Sequence, residues 1–117
     1  MADVIVIGDG PGGLSAALFL AKNGLQVIVY GQDGTAMNWA YLYNYLGIPE
    51  IGGTAFQQTS RDQVRSQGGE LRDEAVTALA GAAGAFTVTT DAGTEQARYL
   101  VLSEGKQPVL AGQLGLA

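Results

Sequence analysis

The sequence predicts an α/β domain, a parallel sheet opened by one βαβ unit and followed by a small antiparallel meander. Three observations predict it. Two β-branched runs, Val4-Ile5-Val6-Ile7 and Val27-Ile28-Val29-Tyr30, flank an Ala- and Leu-rich stretch. A glycine-rich turn joins the first run to that stretch. After Gly68-Gly69 the pattern changes to short segments at regular spacing. At 117 residues, one domain spanning 1–117 is the expectation.

Each element follows from local chemistry. A continuous apolar run of four residues reads as a strand buried on both faces, as in a parallel sheet. Leu14 to Lys22 reads as a helix, apolar nearly all round and so expected to be buried rather than amphipathic. Lys22 suits its C-terminus, and Gly24 suits the left-handed residue just past it. Strand, turn, helix and strand within about 30 residues make a βαβ unit with a right-handed crossover. The connection from Gly31 to Gly53 is long and holds Trp39, Tyr41, Tyr43 and Tyr45. These rings are expected first to cover a sheet edge or a second chain, and second to stack on a ligand. Thr54 as cap and Gln57 as its capping-box partner predict a helix to about Gln67, with Phe56, Ser60 and Val64 on its apolar face. Arg61 and Arg65, at i and i+4 on this helix, are expected on a solvated face. Glu70-Leu71-Arg72 is a candidate third parallel strand, and Arg72 is expected to pair with Asp73 and Glu74 at the surface. Ala75–Leu79, Ala85–Thr90 and Thr94–Tyr99 form the meander, with Asp91-Ala92-Gly93 as a hairpin turn. Tyr99-Leu100-Val101-Leu102 returns to the parallel sheet. The tail from Gly105, with Pro108, Gly112 and Gly115, shows no period.

Composition removes several function classes. The chain has no Cys, so disulfides, thiolate metal sites and Cys nucleophiles are excluded. It has no His, so the usual acid–base residue at neutral pH is missing. Difficult chemistry is then expected to come from a bound cofactor. Six basic against eleven acidic residues leave a charge of −5, which offers no footprint for nucleic acid. No apolar run reaches the roughly 18 residues of a membrane span. No basic region precedes the first apolar segment, so a secretory signal is not expected and the cytoplasm is the default location.

The turn carries the functional signal. Gly8-x-Gly10-x-x-Gly13 directly follows a strand and opens a helix. Gly8 permits the tight exit from the strand, Gly10 lets a pyrophosphate approach the backbone, and Gly13 lets helix and strand pack closely. The helix N-terminus offers unpaired N–H groups and partial positive charge to phosphate. Pro11 suits the first helical turn, where an N–H has no partner in any case. Ser15 is placed either to donate to phosphate or to bond back to the helix. Asp9 would oppose a phosphate, so its carboxylate is expected to point to solvent or to cap the helix. An acid about 20 positions on should meet the ribose. The usual position for it is near Gly31, so Gln32, Asp33 or backbone groups take that role in this reading.

Asp3-Val4-Ile5-Val6-Ile7-Gly8-Asp9-Gly10-Pro11-Gly12-Gly13-Leu14-Ser15-Ala16-Ala17 resembles the start of the thioredoxin reductase-like flavoproteins, the pyridine nucleotide-disulfide oxidoreductases. Asn44-Tyr45-Leu46-Gly47 is similar to an Asn-Trp/Tyr-Pro-Gly segment of that family, and the likeness runs from Asp3 to about Pro108. It implies a Rossmann-like, three-layer ββα domain that binds FAD. Gly8, Gly10, Pro11, Gly12 and Gly13 would hold the pyrophosphate, Gln32 or Asp33 would lie at the ribose, Val76 would approach adenine through its backbone, and Gly105 would be a further cofactor-binding residue. Two departures stand out. Ser103-Glu104-Gly105 replaces the family's Ala-Thr-Gly, placing the Glu104 carboxylate near the cofactor's negative charge. The family's inserted NADPH domain, with its Cys pair, and its C-terminal FAD motif have no counterpart. A homo-oligomer, or a partner chain that completes the site, is one expectation from this. NAD(P) binding and a non-catalytic interaction module remain as alternatives to the flavoprotein reading.

Overall fold

The computed structural model describes residues 1–82, 84–105 and 110–114. The two β-branched runs lie side by side as β1 (Ala2–Ile7) and β2 (Val27–Gly31), paired in parallel with Val4 opposite Val27 and Ile7 opposite Tyr30. The helix between them, α1 (Pro11–Lys22), begins at Pro11 and ends before Gly24, whose φ is +86°. The Gly31–Gly53 connection contains a 3₁₀ turn, Ala36–Trp39, and a two-stranded ribbon of β3 (Tyr41–Leu42) and β4 (Ile51–Gly52). Then come α2 (Gly53–Ser66), β5 (Glu70–Asp73), β6 (Val76–Ala82), β7 (Ala85–Thr90) and β8 (Gly93–Leu102). A short 3₁₀ turn, Ala111–Leu114, follows. Pro108 and Gly115 of the tail lie outside the described residues.

Hydrogen bonding joins six strands in the order β5-β2-β1-β8-β7-β6. The last strand of the expected meander and the expected return strand are one continuous strand, β8. The first half of β8 runs antiparallel to β7, from Gly93 opposite Thr90 to Ala97 opposite Phe86. Its second half runs parallel to β1, to Leu102 opposite Ile7. Ala97 pairs with both neighbours and is fully buried.

Alternation along β1 and β2 builds two cores. Ile5, Ile7, Ile28 and Tyr30 face Leu79 of β6, Val88 of β7 and Leu110. Val4, Val6, Val27 and Val29 face Leu14, Ala17 and Ala21 of α1 and Val64 of α2. The parallel strands are thus covered on one side by the helices and on the other by the meander, which is why their residues are apolar without interruption. Each fully buried Val or Ile contributes on the order of 2 kcal/mol of transfer free energy.

Local expectations fail at two points. The outer face of α1 is open, with Phe19 64% exposed, because only the stripe of Gly13, Leu14, Ala17 and Ala21 meets the sheet and α2. The start of α2 has no side-chain cap, since its N-cap is Gly52. Thr54 Oγ1 instead donates to the Asn38 carbonyl at 3.2 Å, and Gln57 turns inward, leaving 1% of its surface exposed.

Candidate dinucleotide site

A cavity of about 860 Å³ opens at the C-terminal ends of β1, β2 and β8, bounded by Ile7, Tyr30 and Ser103. In open α/β sheets ligands bind outside the carboxyl ends of the strands, where the strand order reverses. Here the reversal falls beside β1, which has β2 on one side and β8 on the other. The glycine turn forms the floor.

That turn is built by close approach. A Cβ on Gly8, where φ is +110°, would stand 2.7 Å from the Ser103 carbonyl carbon. The Ser103 N–H donates to the Ile7 carbonyl at 2.8 Å, so β8 cannot retreat without breaking that bond. A Cβ on Gly13 would crowd the Gly8 carbonyl group, at 3.0 Å from its carbon. These two glycines therefore set the bend. Gly10 and Gly12 are less confined, with the nearest atoms Thr35 Oγ1 at 3.1 Å and Ser103 Oγ at 3.2 Å. No side chain caps α1, and its first turn carries no acid. Its amide end thus faces the cavity bare, a suitable place for an anion.

The turn residues Gly8, Gly10, Pro11 and Gly12 line the cavity together with Gln32, Val76 and Gly105. Gly13 lies beneath the turn and is buried. Asp33 is exposed and is not among the lining residues; it has a φ of +56°. Ser15 is exposed on α1 away from the cavity.

Asp9 departs from its expected place. It is 5% exposed, neither in solvent nor capping α1. Its Oδ2 accepts from the Asp33 N–H at 3.0 Å and from Arg61 Nη1 at 2.6 Å. Gln57 Nε2 donates to the Asp9 carbonyl. Gln57 Oε1 is a buried acceptor with no partner among the described residues. Arg61 is thus not on a solvated face, whereas Arg65 is half exposed and pairs with Asp62. The carboxylate lies over Gly31, whose side chain is only hydrogen; a Cβ there would come within 2.5 Å of Asp9 Oδ1. The sequence carries the signal for this arrangement as a pair: an acid inside the turn and a glycine where the second strand should end in an acid.

The remaining polar groups also find partners that spacing alone does not suggest. Glu104 accepts from the Leu110 N–H at 2.9 Å and the Ala111 N–H at 3.1 Å, tying the last 3₁₀ turn across the cavity mouth. Arg72 bonds not to Asp73 or Glu74 but to Glu70, to Glu95 Oε2 at 2.9 Å and to Tyr30 Oη at 2.8 Å. Burial works to lower the guanidinium's pKa, but its hydrogen bonds to Glu95 and Glu70 outweigh that and hold it above its ordinary value. Burial pushes the Tyr30 phenol above its ordinary value, against the pull of Arg72. The aromatic connection does not cover a sheet edge. Trp39 is 91% exposed and Tyr43 72%, while Tyr45 tilts toward Phe56 with ring centres 5.9 Å apart.

Strand order, glycine turn and cavity together define a Rossmann-like dinucleotide-binding domain. The family model described as pyridine nucleotide-disulphide oxidoreductase matches residues 2–116, and the chain belongs to that family. Among its relatives, a thioredoxin reductase of Streptomyces coelicolor is 32% identical over 90% of this chain and 34% of its own length. A ferredoxin–NADP reductase of Lactococcus lactis is 28% identical over 97% of this chain and 38% of its own. A thioredoxin reductase structure from Gloeobacter violaceus superposes with a TM-score of 0.86 at 29% identity, covering 94% of this chain and 36% of that one. An atypical thioredoxin reductase from Desulfovibrio vulgaris Hildenborough gives 0.84 at 32% identity, covering 96% of this chain and 38% of that one. The chain spans a little over a third of the length of these relatives. It is a thioredoxin reductase-like FAD/NAD(P)-binding domain. No helix among the described residues is long and apolar enough to cross a membrane.

Proposed function

We propose that this domain holds FAD for a flavin-dependent oxidoreductase of the thioredoxin reductase type, with the diphosphate on the Gly8–Gly13 turn. One observation carries the reading: the uncapped N-terminus of α1 faces an 860 Å³ cavity whose floor is glycine backbone. Residues with that shape fit a diphosphate, because backbone N–H groups and the helix dipole favour an anion and no Cβ stands in its way. Gly8 and Gly13 set the bend, while Gly10, Pro11 and Gly12 would present it. Gln32 would lie beside the ribose, Val76 beside adenine and Gly105 beside the far end of the ligand.

Bound FAD would supply the hydride and electron chemistry. The chain's own groups bind, orient and exclude water. No side chain in the cavity is assigned as an acid, base or nucleophile. A cytoplasmic location and self-association through the exposed aromatic ribbon, or completion of the site by a partner chain, belong to the same proposal.

Titration of the purified chain with FAD, NAD and NADP tests it. A ligand that binds only the folded state raises stability by about 2.7 kcal/mol at a hundred times its Kd. FAD is expected to raise the melting temperature and to lose fluorescence on binding. A melting curve indifferent to FAD but raised by NAD would replace the flavin with a nicotinamide cofactor. A curve indifferent to all three would leave the fold as an interaction module.

A further inference from the structure

This inference rests on the reading of the cavity as an FAD site. We propose that Asp9, and not Asp33, is the acid that accepts a hydrogen bond from the adenosine ribose, and that it selects dinucleotides without a 2′-phosphate. In this fold plan an acid at the end of the second strand accepts from a ribose hydroxyl. Here β2 ends in Gly31. The Asp9 carboxylate fills the volume that a side chain at Gly31 would take, so the acid comes from the turn instead of the strand.

The bonding of Asp9 leaves it suited to that role. Both hydrogen bonds to its carboxylate, from Asp33 N–H and Arg61, fall on Oδ2. Oδ1, the oxygen beside Gly31, takes none among the described residues, and Asp9 lines the cavity. Arg61 supplies the countercharge that lets a carboxylate sit buried next to a diphosphate. Asp33 cannot serve equally: its side chain is exposed and outside the lining, and its backbone N–H is committed to Asp9.

A 2′-phosphate would meet the wrong chemistry. Asp9 and Glu74 bring carboxylates into the described lining, no Lys or Arg stands among those residues, and the Arg61 guanidinium beside Asp9 is already taken by its Oδ2. Phosphate recognition uses those cations as donors and countercharge.

Calorimetric titration of the full chain with ADP-ribose, its 2′-phosphorylated form and FAD tests the assignment. Wild type is expected to bind ADP-ribose at least tenfold more tightly than the 2′-phosphate. Asp9→Asn should narrow that ratio below threefold and weaken FAD about tenfold, while Asp33→Asn stays within twofold on both. The ratio of two ligands on one sample does not depend on how much of the variant is folded. If Asp9→Asn keeps the wild-type ratio, or Asp33→Asn abolishes it, the proposal is overturned while the FAD reading stands. Should Asp9→Asn not fold, a wild-type ratio below twofold overturns it by itself. Wild type binding neither FAD nor ADP-ribose removes the cavity reading and this proposal together.

Discussion

Arg61 Nη1 lies 2.6 Å from Asp9 Oδ2, joining α2 to the glycine turn across 52 residues of sequence. Both side chains are largely buried, at 15% and 7% exposure. A buried pair of this kind adds little by existing, but removing one partner strands a charge. Arg61→Ala should therefore lower stability by about 3 kcal/mol in urea unfolding. Adding Asp9→Asn to that variant should recover part of the loss, since an amide tolerates the site better than an unpaired carboxylate. Strictly additive losses would show that the two residues are not coupled.

Three of the turn glycines should separate into two kinds. Gly8→Ala and Gly13→Ala force a methyl against backbone, with nothing flexible to give way, and should leave the chain unfolded or more than 3 kcal/mol weaker. Gly12→Ala meets only the Ser103 hydroxyl at 3.2 Å. It should keep the melting temperature within a few degrees yet weaken FAD at least tenfold, because the new methyl stands where the diphosphate approaches. Equal effects of all three substitutions on folding would refute the division.

Gly31→Ala offers a test of the same corner from the strand side. The added methyl and the Asp9 carboxylate cannot share the space, so Asp9 must shift away from Asp33 and Arg61. A loss of about 1–3 kcal/mol is expected from overpacking. The Asp33 amide should exchange with solvent faster in the variant, as measured by hydrogen exchange.

The buried Tyr30 phenol titrates above its ordinary value of 10.0. The folded state thus holds this proton more tightly than the unfolded state does. Its contribution is complete below pH 10 and is lost as the pH rises through the raised folded value. Wild type should lose stability more steeply above pH 10 than Tyr30→Phe, which has no such proton to lose. Parallel pH profiles would contradict the assignment.

Much of the scaffold was legible because it depends on short-range rules. The runs at Val4 and Val27, the Pro11 start and Gly24 stop of α1, and the Asp91–Gly93 hairpin turn all follow from local chemistry. The bend through Gly8, Gly10, Pro11 and Gly12 follows from the same local rules, and these residues line the cavity. What escaped were partnerships set by tertiary packing. Thr54 and Gln57 have the spacing of a capping box, yet the approach of α2 to the glycine turn draws Gln57 to the Asp9 carbonyl instead. Arg61 and Arg65 look alike in sequence, but only Arg61 stands on the side of α2 that meets a buried acid. Glu104 bonds to amides six and seven residues on, in a tail with no period to announce a turn. Phe19 is exposed because a helix over a sheet buries one stripe, whatever the rest of its composition.

β8 passes from the meander to the parallel layer without a break, and Ala97 bonds to both. No hinge separates the two halves of the sheet, so neither can open while the other stays shut. Slow amide exchange should spread over β1 and β7 alike, and protection should be lost from both layers together.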